Sequence, residues 1–249
     1  SYIRRRIWFI LLCMLVIRLG SQIPVPGVNR DYFAEWFAAQ TGDAFNFFDA
    51  FTGGSFSSMS ILALSITPYI TSSIIIQLLT IAIPALEEMQ RDGEDGRKKL
   101  TAITRYLTVG LSLFESIAMT IGFGNQGLVP NLDFAKGVVV VTCLTAGSSF
   151  LMWIGERITE NGIGNGISLL IFIGIIARFP SEVYKIANSA SLGGTNMWSI
   201  VLLIAVAFAI VVGIVFVDMG ERRIPINYAK RVVGRKMYSG QSTYIPMNS

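Results

Sequence analysis

Hydrophobic and polar residues fall in long blocks along this chain instead of alternating. Apolar runs cover residues 7–24, 50–86, 103–123, 137–155, 167–177 with continuation past Pro180, and 198–217, and charged or glycine-rich stretches part them. A membrane-crossing helix needs about 20 apolar residues, so the pattern predicts six helical spans. The run from 50 to 86 differs from the others: it holds 37 residues without one charged side chain, interrupted by Gly53-Gly54 and by Pro68. As a single helix it would extend roughly 55 Å, against roughly 30 Å of hydrocarbon core. It must be more than one element. Gly53-Gly54 predicts a hinge, and Thr67-Pro68 predicts a helix start with Thr67 as N-cap and proline at the first helical position. The expectation is a short helix over 55–65 and a full span over 68–86. The short piece cannot cross a membrane, and Ser55, Ser57, Ser58 and Ser60 make it too polar to lie against lipid. Broken helix at membrane depth is tolerated only inside protein or along a water-filled cavity. The pattern therefore points to a segment that sits in a passage and blocks it.

Composition narrows the class. With 52% hydrophobic and 14% charged residues and a mean hydropathy of +0.57, the chain reads as an all-α, polytopic helical membrane protein. The first apolar run follows Arg4-Arg5-Arg6 and leads to Pro24-Val25-Pro26-Gly27 without a small-residue cleavage pattern, so it reads as a retained span. Its Arg18 lies late enough to snorkel toward the far interface. Residues 27–49 are too charged to cross, and residues 87–99 form a solvated loop with a turn signal at 93–96. With the N-terminus cytoplasmic, alternating spans put 15 of the 20 Lys and Arg on the cytoplasmic side. The positive-inside rule thus sets an N-in orientation and a cytoplasmic tail over 220–249.

Candidate chemistry is sparse. There is no histidine, which removes the commonest metal ligand and the usual proton carrier near neutral pH. Cys13 and Cys143 sit in apolar runs and read as small hydrophobes. No serine or threonine has a base beside it, and the glycine-rich run 162–166 lacks the spacing and the Lys-Ser/Thr end of a phosphate loop; it reads as a turn that opens a span. No catalytic residue, metal ligand or cofactor is expected. Glu115 is the one carboxylate near mid-membrane, where ionisable groups face a bundle interior or a cavity. Ile66 and Ile70 share a helix face with Gln77 further along it, and Ile167 and Ile171 repeat the spacing. By spacing alone such pairs are ordinary packing.

Several motifs resemble the SecY family of bacterial protein-conducting channels. They are Ile23-Pro24-Val25-Pro26-Gly27, Phe51-Thr52-Gly53-Gly54, Ile66-Thr67-Pro68-Tyr69-Ile70-Thr71, Ile74-Ile75-Ile76-Gln77-Leu78-Leu79, Asp95-Gly96-Arg97-Lys98-Lys99, Phe150-Leu151-Met152-Trp153-Ile154-Gly155-Glu156, Gly162-Ile163-Gly164-Asn165-Gly166-Ile167-Ser168, Asn227-Tyr228-Ala229-Lys230-Arg231 and Gln241-Ser242-Thr243. They occur in order over nearly the whole chain. The resemblance implies an hourglass channel built of two inverted five-span halves, with residues 1–190 as the first half, 191–219 as the sixth span and 220–249 as a basic cytoplasmic loop. It also implies roles. Ile66, Ile70 and Ile171 match the constriction ring, and residues 55–65, including Ser55, Phe56, Ser57, Ser58, Met59 and Ser60, match a plug helix. Thr71, Gln77 and Glu115 match a lateral gate opening to lipid, with an acid at 115 where many relatives carry an amide. Arg97, Lys98, Lys99, Arg222, Arg223, Arg235 and Lys236 match loops that dock partners. The implied partners are SecE- and SecG-type subunits, the SecA motor, the ribosome, and nascent polypeptides with their signal sequences, in a bacterial plasma membrane. The part of the ring and gate not found in this sequence would come from the second half.

The tail carries its own signal. It has six basic residues, Arg222, Arg223, Lys230, Arg231, Arg235 and Lys236, against the single acid Glu221. Stretches 224–228 and 236–239 flank Gly234, which predicts a short hairpin with Arg235 and Lys236 at its tip. Without the family resemblance, the broken helix and Glu115 would also suit a secondary transporter of a small solute. The isoleucines at the break favour a gasket over a solute site.

Overall fold

The computed structural model describes residues 1–39, 42–127, 129–131, 133–191, 193, 196–226, 232–233, 236–237 and 243–248. The chain divides into two units, Ser1–Glu182 and Val183–Ser249.

The first unit contains α1 (Tyr2–Gln22), α2 (Arg30–Ala39), α3 (Asp43–Thr52), α4 (Thr67–Ala82), α5 (Pro84–Arg91), α6 (Glu94–Gly124), α7 (Phe134–Asn161) and the first part of α8 (Gly166–Ser191). Its centre is the α4, α6 and α7 group, with α1 against α7. The buried face of α6 is a column of hydroxyls and one glycine: Gly96, Thr104, Thr108, Ser112, Ser116 and Thr120. Small residues at four-residue intervals let helices approach closely inside a membrane, where lipid supplies no hydrophobic drive for helix association. The hydroxyls cost little there because they donate back into their own helix, as Thr108 does to the Thr104 carbonyl at 2.7 Å and Thr120 to that of Ser116 at 2.7 Å.

Four described helices, α6, α7, α8 and α9 (Met197–Asp218), are long and apolar enough to cross a membrane, and the α4–α5 pair would make a fifth if it is one broken span. The other two expected spans differ for physical reasons. Every 18-residue stretch of α1 contains Arg5, Arg6 and Arg18. The span expected over 68–86 ends at Ala82 and turns by 103° into α5. Pro84 causes the break: it has no N–H to continue the ladder, and it pushes Ile83 into an extended conformation, φ −113° and ψ 113°. The expected loop over 87–99 is accordingly mostly helix, with the turn confined to Asp92 and Gly93. At the other end of α4, the cap is Ile66 and not Thr67, and no side chain caps the helix.

The larger correction concerns residues 55–65, which are not a helix but a run of turns. Met59 and Ser65 take positive φ, 43° and 53°, a conformation that helices exclude. The backbone closes turns on itself, as in Met59 N–H to the Phe56 carbonyl at 3.0 Å and Ser65 N–H to that of Leu62 at 2.9 Å, and its middle is captured by the 23–25 strip. Val25 N–H donates to the Met59 carbonyl at 3.1 Å, Ile61 N–H donates to that of Ile23 at 3.1 Å, and Pro24 forms a bridge with Ser60.

In the second unit α9 is apolar on all sides, and its residues from 201 to 218 are exposed throughout. The tail then forms two antiparallel ladders. β1 (Glu221–Ile226) pairs with β4 (Thr243–Asn248) in the register Glu221↔Asn248 to Ile226↔Thr243, and β2 (Val232–Val233) pairs with β3 (Lys236–Met237). The expected hairpin, with Arg235 and Lys236 at its tip, does not form in that way: Lys236 lies in β3 opposite Val233, and Arg235 falls outside the described residues. Its longer arm does not pair as expected: residues 224–226 face 243–245 and not 236–239.

Candidate functional site

Ile66 caps α4, Ile70 follows one turn later, and Ile171 lies on the second turn of α8. All three belong to one apolar cluster with Leu62, Leu151, Met152 and Leu170. Ile66 is buried, while Ile70 and Ile171 are half-buried. The fold brings α8 there through the glycine-rich turn. Asn165 caps the helix by accepting the N–H of Ile167 at 3.0 Å, Gly166 N–H donates to the Thr159 hydroxyl at 2.9 Å, and a Cβ at Gly166 would stand 2.0 Å from the Gly155 carbonyl. Arg6 ties the same turn to α1 by donating to the Gly162 carbonyl at 2.7 Å.

An open cavity of about 690 Å³ adjoins this cluster and is lined by Tyr69, Ile70, Ser73, Arg105, Glu156, Asn165 and Ile167 among others. Arg105 and Glu156, both in its lining, make an ion pair at 2.8 Å. Ile66, in the same cluster, is the last residue of the turn segment 53–66, which is packed into protein: Ser55, Phe56, Met59, Ser60, Leu62, Ala63 and Leu64 are buried, and Ser57 and Ser58 are half-buried. Phe56 sits among the rings of Phe33, Phe37, Phe45, Phe48 and Phe123, with centroids 5.0–6.3 Å away. Three of the serine hydroxyls donate, Ser55 to the Ser21 hydroxyl at 3.2 Å, Ser57 to the Gly54 carbonyl at 3.2 Å and Ser60 to the Ser55 carbonyl at 3.3 Å.

The other candidates are more scattered. Thr71 donates to the Thr67 carbonyl at 3.0 Å. Gln77 is exposed in a groove of about 530 Å³ between α4 and α6, together with Arg97, Thr101 and Thr104. Glu115 is half-buried on α6. No hydrogen bond joins Thr71, Gln77 and Glu115 among the described residues. Arg97, Lys98 and Lys99 are exposed on the first turns of α6. Arg222 and Arg223 lie in β1 and Lys236 in β3, while Arg235 falls outside the described residues. No group of three His, Cys, Asp or Glu that could hold a metal occurs among the described residues.

Sequence reasoning missed a set of charges beside the turn segment. Asp49 is fully buried and pairs with Arg178. Arg18 does not simply snorkel; it donates to the Gly53 carbonyl at 3.2 Å. The available signal was their isolation, since lone charges at apolar depth are retained with a named partner.

The comparisons with known proteins bear on this arrangement. The family model for SecY matches residues 60–248. The chain belongs to the SecY family. Protein translocase subunit SecY of Pseudomonas aeruginosa is 44% identical over 242 residues, covering 97% of this chain and 55% of that relative. The protein of the same name from Thermotoga maritima is 45% identical over 254 residues, covering 98% and 58%. The chain spans about half the length of the curated relatives it matches. Three solved structures share the fold. One is described as the structure of a protein conducting channel (TM-score 0.63, 20% identity, covering 99% of this chain and 53% of that one). Another is Sec61 in the canine ribosome-channel complex (0.61, 20%, covering 90% and 50%). The third concerns the plug domain of the SecY protein, said there to stabilise the closed state and maintain a membrane seal (0.60, 18%, covering 95% and 52%). The SecY fold thus accounts for a multi-pass helical membrane protein in which helix is interrupted inside the bundle.

Proposed function

We propose that this chain supplies the first five-span half, residues 1–190, the sixth span and the basic loop of a protein-conducting channel in a bacterial plasma membrane, with its N-terminus cytoplasmic. The channel passes unfolded polypeptides across the membrane and releases transmembrane segments sideways through a gate that includes Thr71, Gln77 and Glu115. SecE- and SecG-type subunits complete it, and the SecA motor or a ribosome engages its basic loops, where Arg97, Lys98, Lys99, Arg222, Arg223, Arg235 and Lys236 offer cations. The observation that carries this reading is the convergence of Ile66, Ile70 and Ile171 in one apolar cluster that adjoins both an open cavity and the buried segment 55–65. Such a neck excludes ions because stripping their water is costly, and an apolar constriction can also dewet. A polypeptide can still push the aliphatic side chains aside, and the segment 55–65, read as a plug, closes the neck between substrates.

The test uses the complete channel in planar bilayers. Changing Ile66 and Ile171 together to Ser should raise the resting ion conductance and let weaker signal sequences pass. Resting conductance equal to wild type would place the seal elsewhere.

A further inference from the structure

Asp49, Arg178 and Arg18 have no part in the neck as described, yet they surround the start of the segment read as a plug. Asp49 lies on the last turn of α3 and is 0% exposed. Its Oδ2 accepts from Nη1 of Arg178 on α8. Its Oδ1 accepts from the backbone N–H of Ser57 at 2.8 Å, inside the turn segment. Arg18 on α1 donates through Nη1 to the Gly53 carbonyl at the corner where α3 gives way to that segment. Its Nη2 is buried without a partner, and the residue borders a cavity of about 20 Å³ shared with Ser21, Thr52, Ser55 and Ser65.

A carboxylate taken out of water is costly unless it is both paired and hydrogen-bonded. Asp49 meets that condition with partners from two different pieces of the protein, the wall helix α8 and the turn segment. Withdrawing the segment takes the Ser57 N–H from Oδ1 and the Gly53 carbonyl from Arg18, so it disturbs two charged groups at once. The aromatic rings around Phe56 hold the same segment mainly by burying apolar area, whereas these charge-assisted hydrogen bonds fix the position of each donor against its acceptor. We infer that Asp49 clamped by Arg178, together with Arg18, is a latch that positions the segment and sets how readily it is displaced. The inference rests on the plug reading of residues 55–65.

The complete channel in planar bilayers again provides the test, with four variants: Arg178→Met, Asp49→Asn, the double Asp49→Asn/Arg178→Met, and Arg18→Gln. Arg178→Met strands a buried carboxylate. Asp49→Asn keeps an acceptor for Ser57 N–H and leaves Arg178, whose side chain is 30% exposed, with Glu182 at 3.9 Å. Resting conductance should therefore rise most in Arg178→Met, by about ten-fold, a fraction of the cost of stranding a charge because displacement rehydrates it. Asp49→Asn and Arg18→Gln should rise less, and the double variant should fall below Arg178→Met while staying above wild type. None of the four should add conductance in a channel lacking residues 57–61. If Arg178→Met does not assemble, the double variant, which buries no lone charge, carries the comparison. Wild-type conductance in the assembled variants overturns the latch, and so does an Arg178→Met increment that persists without residues 57–61. If deleting 57–61 leaves the resting channel unchanged, the plug reading itself fails, and that failure is visible independently of the arginine variants.

Discussion

Gly147→Ala adds one methyl group at the point where α7 meets the turn segment. A Cβ at Gly147 would stand 1.9 Å from the Ile61 carbonyl oxygen and 2.7 Å from its carbon, whereas Cβ atoms in proteins essentially never come closer than 3.0 Å. The Ile61 backbone must therefore retreat by about 1 Å, and close-packed interiors do not absorb that locally. Ile61 is held by its N–H bond to the Ile23 carbonyl at 3.1 Å, and its neighbours Ser60 and Leu62 are buried. Overpacking of this kind costs about 1–3 kcal/mol, and replacing glycine by alanine within a helix returns about 1 kcal/mol. With backbone on both sides of the clash the cost belongs at the upper end, so the net loss is about 1–2 kcal/mol, roughly a five- to thirty-fold shift away from the seated segment. Gly110→Ala is the control, because nothing lies within 4 Å of its Cβ position and only the helix gain remains. Resting conductance in bilayers and thermal unfolding of the purified complex read the two terms. Gly147→Ala should leak and melt earlier, while Gly110→Ala should do neither. A Gly147→Ala channel that is as tight and as stable as wild type would refute the close contact between α7 and the turn segment.

Two further outcomes are expected. Gly96→Ala would bring a Cβ to 1.7 Å from the Met89 carbonyl oxygen, so the α5–α6 corner should open and trypsin should cut faster at Arg91 and Arg97; unchanged cleavage would mean that the corner yields without opening. If the basic tail docks a ribosome as proposed, changing Arg235 and Lys236 to Glu should weaken that binding and flatten its dependence on salt, because each lost phosphate contact removes a counterion-release term; sedimentation indistinguishable from wild type across a salt titration would move the proposed docking role to residues 91–99.

The block pattern of apolar residues was enough to establish a helical membrane protein, the start and end of α9 to within a residue, and the need for residues 50–86 to break. These follow from local rules: the length of hydrocarbon to be crossed and the backbone habits of glycine and proline. Pro84 was equally legible, since it acts on its own neighbour, and its effect on the second span could have been read from the same rule as Pro68. The meeting of Ile66 and Ile171 in one apolar cluster was not legible from composition or spacing. Ile66 and Ile171 lie far apart in sequence and look like any other aliphatic pair until α8 is folded back, so only resemblance to the family singled them out. Tertiary structure alone decided the form of residues 55–65. Their spacing and composition allow a helix, but the carbonyl of Ile23 and the N–H of Val25 take up backbone groups that a helix would have used, and Met59 and Ser65 turn out of register to meet them. The pairing of Asp49 with Arg178 is of the same kind: 129 residues separate them, and a buried charge reveals its partner only when the chain between has folded.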